Sequence, residues 1–257
     1  MLRSFKDLRG FTIGASDGDI GTVKEFFFDD ESFTVRYVVV DTGSWLAERK
    51  VLLSPIAFRA MDWEHKRITA ALTRAQVEKS PDIDTHEPVS RQHETEYYGY
   101  YEYTPYWEGS YLWGAYPYPY VGPGVALSAA ELKRERRWTR EAKSRDNPHL
   151  RSSRAVSEYY IKASDGDIGH VVDFLVDDRS WAIRYMIADT SNWWAGKKVL
   201  VAPTWIQRVD WDRSTVHVAI TRAQIKDSPE YDSTRPVERA YETHLHGHYG
   251  KPHYWDE

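Results

Sequence analysis

Two aspartates that follow apolar runs are the residues of this chain whose type and spacing most resemble catalytic machinery. Asp41 stands in the run VVVDTGSW at residues 38–45, and Asp189 stands in IADTSNW at residues 187–193. Two Asp-Thr-Gly loops, one from each of two similar lobes, let aspartic proteases bring two carboxylates together to share a proton. The second loop breaks this pattern with Ser191 in place of the turn glycine. We expect both aspartates to end strands and to accept backbone hydrogen bonds in the following turns, with an aspartic-protease-like hydrolase as the remote alternative.

Two further motifs could hold a metal ion. His244, His246 and His248 alternate along the sequence, and alternation in a strand would present three imidazoles on one side to a metal. The glycine and proline that accompany them favour a tail without a metal site. The Asp17–Asp19 segment resembles the start of a calcium loop, but Phe28 stands where such a loop needs a carboxylate. We therefore expect no cofactor and no metal.

Composition limits the possible functions. The chain has 257 residues, no cysteine and a formal net charge of −5. The lack of cysteine excludes disulfides, thiolate nucleophiles and cysteine-based metal sites, and the negative charge argues against nucleic acid as a ligand on electrostatic grounds. The first ten residues have no apolar signal core, and the apolar run Val38–Val40 is too short to cross a bilayer. We expect a cytoplasmic protein without a transmembrane segment of its own.

The chain contains an internal duplication. A shift of 148 residues aligns residues 2–91 with residues 150–239 without a gap, and about 39 of about 90 paired positions are identical. The heptapeptide ASDGDIG, for example, occurs at residues 15–21 and again at residues 163–169. We interpret the copies as an internal pseudo-dimer, in which two fused domains pair and can diverge. The predicted boundaries are 1–91 and 150–239 for the repeats, 92–149 for the connecting segment and 240–257 for a His-rich tail.

Each repeat is predicted to be mostly β. In the first repeat, Asp17-Gly18 is typical of a tight hairpin turn, and Gly21 permits a bulge or a close approach at the start of the next strand. Thr73 and Gln76 form a capping box that predicts a short helix, which ends near Pro81. Five or six short strands with one terminal helix indicate a small β-barrel. The predicted strands of this repeat are Phe11–Ala15, Val23–Phe28, Phe33–Asp41, Lys50–Leu53 and Arg67–Leu72.

These residues resemble the PRC-barrel domains. The pattern is GDIGTVKEFFFDDESFTVRYVVVDTGSW in the first copy and GDIGHVVDFLVDDRSWAIRYMIADTSNW in the second: a glycine turn, a strand, an Asp-Asp turn and a strand that carries Arg-Tyr. The resemblance covers about 70% of the chain. It implies a mainly β protein with two small PRC-type β-barrels, each closed by a short helix and joined by an aromatic-rich loop and one helix. Such barrels act as docking modules in the cytoplasmic part of the photosynthetic reaction-centre H subunit and in a ribosome maturation factor.

The connecting segment differs in composition from the repeats. Residues 97–124 hold more than half of the tyrosines, with proline and glycine every few residues, which predicts an irregular aromatic loop. Packing on the protein itself, contact with a partner and disorder all remain open for this loop. Ser128 and Glu131 then predict a helix over about 128–145. Its cations suit an acidic partner, an anionic membrane face or solvent; they include Lys133, Arg134, Arg136, Arg137, Arg140 and Lys143.

Large aromatic residues in loops are the candidate interface residues. Tyr and Trp offer large contact areas at low entropic cost and are enriched at protein interfaces. Trp45 and Trp193 follow strand ends, where they could equally plug the ends of their own barrels. The repeats also differ, because Leu46 of the first corresponds to Trp194 of the second. The candidates are Trp45, Leu46, Trp193, Trp194, Trp205, Tyr106, Trp107, Tyr111, Trp113, Tyr116, Tyr118 and Tyr120.

Together these features predict a docking or assembly subunit without enzymatic activity. The resemblance to the H subunit implies a peripheral subunit on the cytoplasmic face of a photosynthetic reaction-centre complex in the inner membrane, with that membrane-embedded protein complex as the partner. The chain lacks the transmembrane helix of the H subunit, and it has two barrels without the other domain of the ribosomal factor. The alternative is a soluble bacterial module in RNA or ribosome maturation or in a stress response.

Overall fold

The computed structural model describes most of the chain, in two compact units. Each unit combines segments from both halves of the sequence. Unit N consists of the described residues of 7–152 and 179–182, and unit C consists of those of 1–6, 153–178 and 183–257. The residues described are 1–47, 49–81, 89, 91–120, 149–190 and 196–256.

The two halves of the chain have the same succession of elements, which confirms the mainly β prediction. The first half contains β1 (Leu2–Ser4), α1 (Phe5–Leu8), β2 (Thr12–Ala15), β3 (Gly18–Asp29), β4 (Thr34–Asp41), β5 (Lys50–Leu53), β6 (Phe58–Asp62), β7 (Arg67–Ala70), α2 (Arg74–Glu78) and α3 (Arg91–Tyr101). The second half contains β8 (Leu150–Ser152), α4 (Ser153–Val156), β9 (Tyr160–Ala163), β10 (Gly166–Asp177), β11 (Ile183–Asp189), β12 (Lys198–Val201), β13 (Ile206–Asp210), β14 (Thr215–Val218), α5 (Arg222–Lys226) and α6 (Arg239–Tyr249).

Each unit is built on one seven-stranded sheet. In unit N the strand order is β5-β4-β3-β2-β7-β6 with β8 beside β3, and in unit C it is β12-β11-β10-β9-β14-β13 with β1 beside β10. Neighbouring strands are antiparallel, except that β2 with β7 and β9 with β14 are parallel. β3 and β10 have twelve residues each and can therefore hold three partners along their length. The two similar sheets confirm the duplication, whereas closure of each sheet into a barrel stays a prediction.

The repeated heptapeptide builds a turn and a close backbone contact. Asp17 Oδ1 accepts the backbone N–H of Arg74 in the first turn of α2 at 2.8 Å. Gly18 has a φ of +142°, a region that favours glycine. A Cβ at Gly21 would lie 2.0 Å from the carbonyl oxygen of Asp41. Unit C repeats all three roles with Asp165, Gly166 and Gly169. The heptapeptide therefore occurs twice because the fold needs its turn twice.

The helices confirm one expectation and correct two others. Thr73 Oγ1 accepts the N–H of Gln76, whose side chain accepts the N–H of Thr73, so the predicted capping box is present. The expectation of an irregular loop is wrong for residues 97–101, which lie in α3 and bury two tyrosine rings. The expected C-terminal tail likewise contains α6. Within the described ranges, none of the helices combines the length and the apolar character that crossing a bilayer requires.

The core of each unit centres on the strand that carries Arg-Tyr. All residues of β4 except Asp41 are buried, as the nearly apolar run predicts for a central strand. β11 is buried in the same way except at Arg184 and Asp189. Helix residues complete the core: Tyr97 and Tyr98 are each 1% exposed in unit N, and Leu245 is fully buried in unit C. The long helix of each half is therefore part of the core of its unit.

The first strand of each repeat lies in the unit formed mainly by the other repeat. β1 belongs to unit C, where Leu2 lies opposite Asp177 of β10. β8 belongs to unit N, where Leu150 lies opposite Asp29 of β3. Residues 179–182 also belong to unit N, where the carbonyl of Trp181 accepts the N–H of Val35 at 2.9 Å. The units thus depart from the predicted boundaries, and the pseudo-dimer stays a prediction.

Candidate functional site: duplicated polar clusters and an exposed aromatic segment

A buried carboxylate on each long helix is the centre of a polar cluster. Glu94 of α3 is 0% exposed, and Glu242 of α6 is 3% exposed. Arg91 and Arg239 precede them by three residues, a spacing that brings side chains together on a helix, and their Nη1 atoms lie 3.0 and 3.2 Å from the respective Oε2 atoms.

The sequence analysis missed these carboxylates because it ended the repeat at residue 91. The same shift of 148 residues continues through both helices and up to a Tyr-Trp-acid motif at residues 106–108 and 254–256. This continuation was the signal available in the sequence. The further identical pairs are Glu94/Glu242, Thr95/Thr243, Gly99/Gly247, Tyr101/Tyr249, Tyr106/Tyr254 and Trp107/Trp255.

In unit N, the carboxylate joins three elements. The hydroxyls of Tyr37 from β4 and Tyr106 donate to Glu94 Oε1 at 3.3 and 2.8 Å. His149 Nε2, next to β8, lies 2.7 Å from Glu94 Oε2 and 3.2 Å from the Tyr106 hydroxyl. Burial and the nearby carboxylate raise the pKa of both tyrosines well above its usual value. Both hydroxyls therefore stay protonated and donate throughout the physiological pH range.

In unit C, the equivalent carboxylate has a similar set of partners. Tyr185 from β11 and Tyr254 donate to Glu242 Oε1 at 3.1 and 2.8 Å. His246 of α6, which is 1% exposed, lies with Nε2 2.9 Å from the Tyr185 hydroxyl, and its Nδ1 lies 2.7 Å from the Pro252 carbonyl. Burial raises the pKa of Tyr254 to about 12. A histidine is thus present in both clusters but enters them from different elements.

An arginine on the central strand fixes the segment that follows each helix. In unit N, the Arg36 guanidinium carbon lies 3.6 Å from the ring centroid of Tyr106 and 5.0 Å from that of Trp113, and Nη1 donates to the Leu112 carbonyl. In unit C, the Arg184 guanidinium carbon lies 4.2 Å from the ring centroid of Tyr254. The Arg36 side chain is 3% exposed and that of Arg184 is 23% exposed. The second ring therefore covers the guanidinium in unit N.

These contacts suit the two clusters for fastening helices to sheets. Each carboxylate accepts hydrogen bonds from two tyrosine hydroxyls and pairs with an arginine. The carboxylate oxygens are thus used for contacts within the unit. Hydrogen bonds to ionised groups are about twice as strong as neutral ones. Tyr37 and Tyr185 lie on the central strands, whereas Glu94 and Glu242 lie on the helices, so each cluster ties the helix to its sheet.

Beyond the unit N cluster, a short segment exposes four tyrosines. Trp113 is 5% exposed, and its Nε1 donates to the Ser180 carbonyl at 2.7 Å. Two bridges, between Tyr111 and Gly114 and between Trp113 and Tyr116, fold the segment back on itself. The buried tryptophan thus anchors the exposed rings. Their exposed fractions are 61% for Tyr111, 40% for Tyr116, 45% for Tyr118 and 47% for Tyr120.

The other predicted interface residues lie on or inside their own unit. Trp45 is half-buried, donates from Nε1 to the Ile20 carbonyl at 2.6 Å and lies under the guanidinium of Arg74. Leu46 and Trp107 are also half-buried. Trp205 is 2% exposed beneath α6, so surface contact through this ring is contradicted by its burial, as it is for Tyr106 and Trp113. The candidates outside the described residues are Trp193, Trp194, Lys133, Arg134, Arg136, Arg137, Arg140 and Lys143.

The two candidate catalytic aspartates end equivalent strands in different units. Asp41 ends β4 in unit N, and its Oδ1 accepts the N–H of Gly43 at 3.0 Å. This hydrogen bond lowers the pKa of Asp41, and Lys24, with Nζ at 3.3 Å, contributes in the same direction. Asp189 ends β11 in unit C. The turn role expected for Asp41 is therefore what the structure shows.

The histidines of the C-terminal segment do not alternate along a strand. Because His244, His246 and His248 lie in α6, consecutive members of the set point in different directions. His246 faces the core, His244 is exposed, and His248 Nε2 contacts the Gln224 carbonyl at 2.7 Å. The three-imidazole arrangement that alternation along a strand would give is therefore not formed. Among the described residues, no three His, Cys, Asp or Glu side chains lie close enough together to hold a metal ion.

Comparison with known proteins assigns the first part of the chain to a domain family. The family model described as PRC-barrel domain matches residues 2–76. A protein from Deinococcus radiodurans, described as uncharacterized, is 41% identical over 68 residues, which are 26% of this chain and 24% of the relative. The match thus spans about a quarter of the length of that relative. Residues 2–76 are therefore a PRC-barrel domain, and the two similar seven-stranded sheets are consistent with a tandem PRC-barrel protein.

Proposed function

We propose that this protein is a docking module without enzymatic activity, which binds a partner protein through the exposed tyrosines of residues 111–120. The observation that carries the proposal is the exposure of these rings, which ranges from 40% to 61%, on a segment whose neighbouring rings are buried. Exposed tyrosines are suited to this role because each ring offers a large contact area and few rotatable bonds to immobilise.

The anchoring of the segment supports a preformed interface. Trp113 is held through Ser180, and Tyr106 is held through Glu94 and under the guanidinium of Arg36. A partner that binds the exposed rings therefore does not have to order the start of the segment. Preorganisation of this kind lowers the entropic cost of association.

The finer proposal concerns the partner. The family resemblance favours a membrane-embedded photosynthetic reaction-centre complex, with the protein bound as a peripheral subunit at its cytoplasmic face. The second candidate is a role in RNA or ribosome maturation, or in a stress response, which rests on the ribosomal members of the same family. Association with RNA would weaken steeply with salt because counterions are released on binding, whereas association through tyrosines would depend little on salt.

Gradient fractionation of mildly solubilised native membranes tests both levels of the proposal. We expect the protein to migrate with a high-mass pigmented band, and we expect substitution of Tyr111, Tyr116, Tyr118 and Tyr120 by serine to return it to the top of the gradient. Tyr160→Ser is the matched control, because Tyr160 is 62% exposed but lies on β9. Migration with ribosomal RNA would contradict the membrane partner. Migration that the four substitutions leave unchanged would contradict the tyrosine surface.

A further inference from the structure

The last three residues of β3 and of β10 each form an edge that takes a strand from elsewhere in the chain. In unit C, β1 pairs antiparallel with Leu175–Asp177, and in unit N, β8 pairs antiparallel with Phe27–Asp29. Both pairings have the same register, because the shift of 148 residues relates both the two incoming strands and the two edges. Addition of an extended segment to a sheet edge is a common mode of peptide recognition.

Side chains make the two edges selective for the same tripeptide. The incoming strands both read Leu-Arg-Ser, and both edges end in Asp-Asp. Arg151 Nε lies 2.7 Å from Asp30 Oδ2, and the equivalent Arg3 Nε lies 3.5 Å from Asp178 Oδ2. In unit N the hydroxyl of Ser152 also donates to Glu25. The edge thus recognises backbone, arginine and serine together.

The chain supplies each strand from the repeat that does not form the edge. Met1–Lys6 belongs to unit C, whereas the chain that follows, from Asp7 to Ser152, belongs to unit N. Neither edge therefore requires that its strand be continuous with the sheet it joins. The backbone and side-chain contacts described here hold each incoming strand at its edge. A second molecule that carries the same segment can make the same contacts.

The edge in unit C has the larger apolar contact. Phe5, directly after β1, is 0% exposed, and its ring centroid lies 5.4 Å from that of Phe174. The N–H of Lys6 donates to Asp173 Oδ2 at 3.2 Å. The residue at the equivalent position directly after β8 is Ser153, which has no ring to bury and belongs to unit C. Because burial of a phenylalanine side chain is favourable, the segment Leu2–Phe5 is held more strongly at its edge than the segment that begins with Leu150.

We propose that the edge of β10 is a strand-addition site that also accepts the Leu2–Phe5 segment of a second copy of this chain, so that two molecules form a dimer by reciprocal exchange. The contacts in the dimer are those described here, and only the connection differs. A tethered segment has an effective concentration of about millimolar. The monomer therefore predominates in dilute solution, and the dimer forms when the protein folds at high concentration.

Disulfide trapping tests this proposal cleanly, because the chain contains no cysteine. One full-length chain carries Leu2→Cys and a second carries Asp177→Cys, at positions that lie opposite each other in the register. Both substitutions on one chain should give an intramolecular disulfide, which verifies the register. When the two single variants refold together, we expect a disulfide-linked species of twice the 30.0 kDa chain mass, in a yield that rises with protein concentration.

Two controls keep the experiment decisive. In the first control, Asp210→Cys replaces Asp177→Cys. The side chain of Asp210 is 22% exposed and that of Asp177 is 24% exposed, but Asp210 lies on β13, away from the register with Leu2. Phe5→Ser is added to the Leu2→Cys chain in the second and should reduce the yield several-fold. A yield no higher than that with Asp210→Cys at every concentration overturns the proposal. A yield that Phe5→Ser leaves unchanged overturns the seating of the segment through Phe174.

Discussion

Unit N and unit C hold their long helices in the same place with different side chains. In unit N, α3 buries Tyr97 and Tyr98, and Ala57 ends the short helical turn Pro55–Ala57. In unit C, α6 buries Leu245 and His246 at the equivalent positions, and Trp205 stands in place of the alanine at the end of the turn Pro203–Trp205. The large ring has thus moved from the long helix to this turn. Because interiors are close-packed, the comparison teaches that the duplicated core has diverged by exchange of volume between facing elements.

The polar part of the comparison teaches the opposite lesson. The carboxylate, the arginine one turn before it and the two tyrosines are the same in both units. A buried carboxylate needs all its partners at once, since each unsatisfied group in a low dielectric is costly. A change in side-chain volume can be offset by the opposite change at one neighbour. A change at one member of the polar cluster cannot, because several partners lose their hydrogen bonds together. The clusters have kept their composition while the surrounding rings have changed.

The largest expected effect is a loss of stability in unit C when its large core ring is removed. Trp205→Ala gives unit C the residue of unit N without the facing tyrosine, and it should destabilise unit C by about 3–5 kcal/mol, as large-to-small core substitutions do. Its ring centroid lies 4.7 Å from that of Tyr249 and 5.3 Å from that of His246, and both rings would border the cavity. Amide hydrogen exchange of β11 measures the loss, with β4 as the internal control.

The double variant Trp205→Ala with Leu245→Tyr sharpens the same comparison. If volume has been exchanged between α6 and the turn that carries Trp205, the added tyrosine should recover about 1–2 kcal/mol of the loss, a value within the range of coupling energies between core residues. Recovery should be visible as slower exchange in β11 than in the single variant. A double variant that exchanges as fast as the single variant would show that the two substitutions are independent.

A smaller effect compares the two carboxylates. Glu94→Gln places an amide among the donors of Tyr37, Tyr106 and Arg91, and it should cost unit N about 3 kcal/mol, because breaking a buried pair leaves a charge uncompensated. Glu242→Gln should cost unit C less, about 2 kcal/mol, because the Arg239 side chain is 56% exposed and can turn to water whereas that of Arg91 is 36% exposed. Local hydrogen exchange in each sheet gives both values, and the reverse order would refute this reasoning from exposure.

The smallest effect is a dependence on pH in unit C. Burial lowers the pKa of His246 below its ordinary value of 6.5; His253 acts in the same direction, and the Pro252 carbonyl and Glu242 oppose it. The folded state thus favours the neutral imidazole, so its contribution to stability is full above about pH 6.5 and is lost as the pH falls from there through the lowered pKa. We expect faster exchange in β11 at about pH 5 than at about pH 7.5, after correction for intrinsic exchange rates.

His246→Tyr gives unit C the residue that unit N has at this position, and it should remove that part of the pH dependence. Tyr98→Phe is the matched control, because Tyr98 lies at the equivalent place in unit N and does not titrate in this range. It should leave the pH dependence of unit C unchanged. A dependence in β11 that persists in His246→Tyr would assign it to another group.

The local patterns of the sequence predicted the elements well, whereas the long-range relations escaped them. Turn chemistry at Asp17-Gly18, the capping box at Thr73 and the apolar run of β4 depend on neighbours in the sequence, and all three appear as expected. The helix α3 was missed because its tyrosines and glycine have poor intrinsic helix propensity, and burial against the sheet overrides that preference. Leu2-Arg3-Ser4 and Asp177-Asp178 were both visible as repeated motifs, but nothing local shows that they meet.

The carboxylate clusters show the same limit in another form. Arg36 and Tyr37 were recognised as a repeated pair, and their partners Glu94 and Tyr106 lie more than fifty residues away. The identity between the repeats continues through α3 and α6, but the sequence comparison ended at residue 91, just before the carboxylates and the tyrosines that follow them. Only the fold brings the central strand, the helix and the segment after it to one place.

Each exchanged strand and the edge that it pairs with are synthesised at different times. After Ser4 has been made, about 170 further residues must follow before its partner Leu175 exists, which takes about 10 to 35 seconds at typical translation rates. In unit N, about 120 residues separate Asp29 from its partner Leu150. During this interval the nascent chain carries an unpaired strand edge and an unburied Phe5, which are the features that make partly folded chains prone to aggregate.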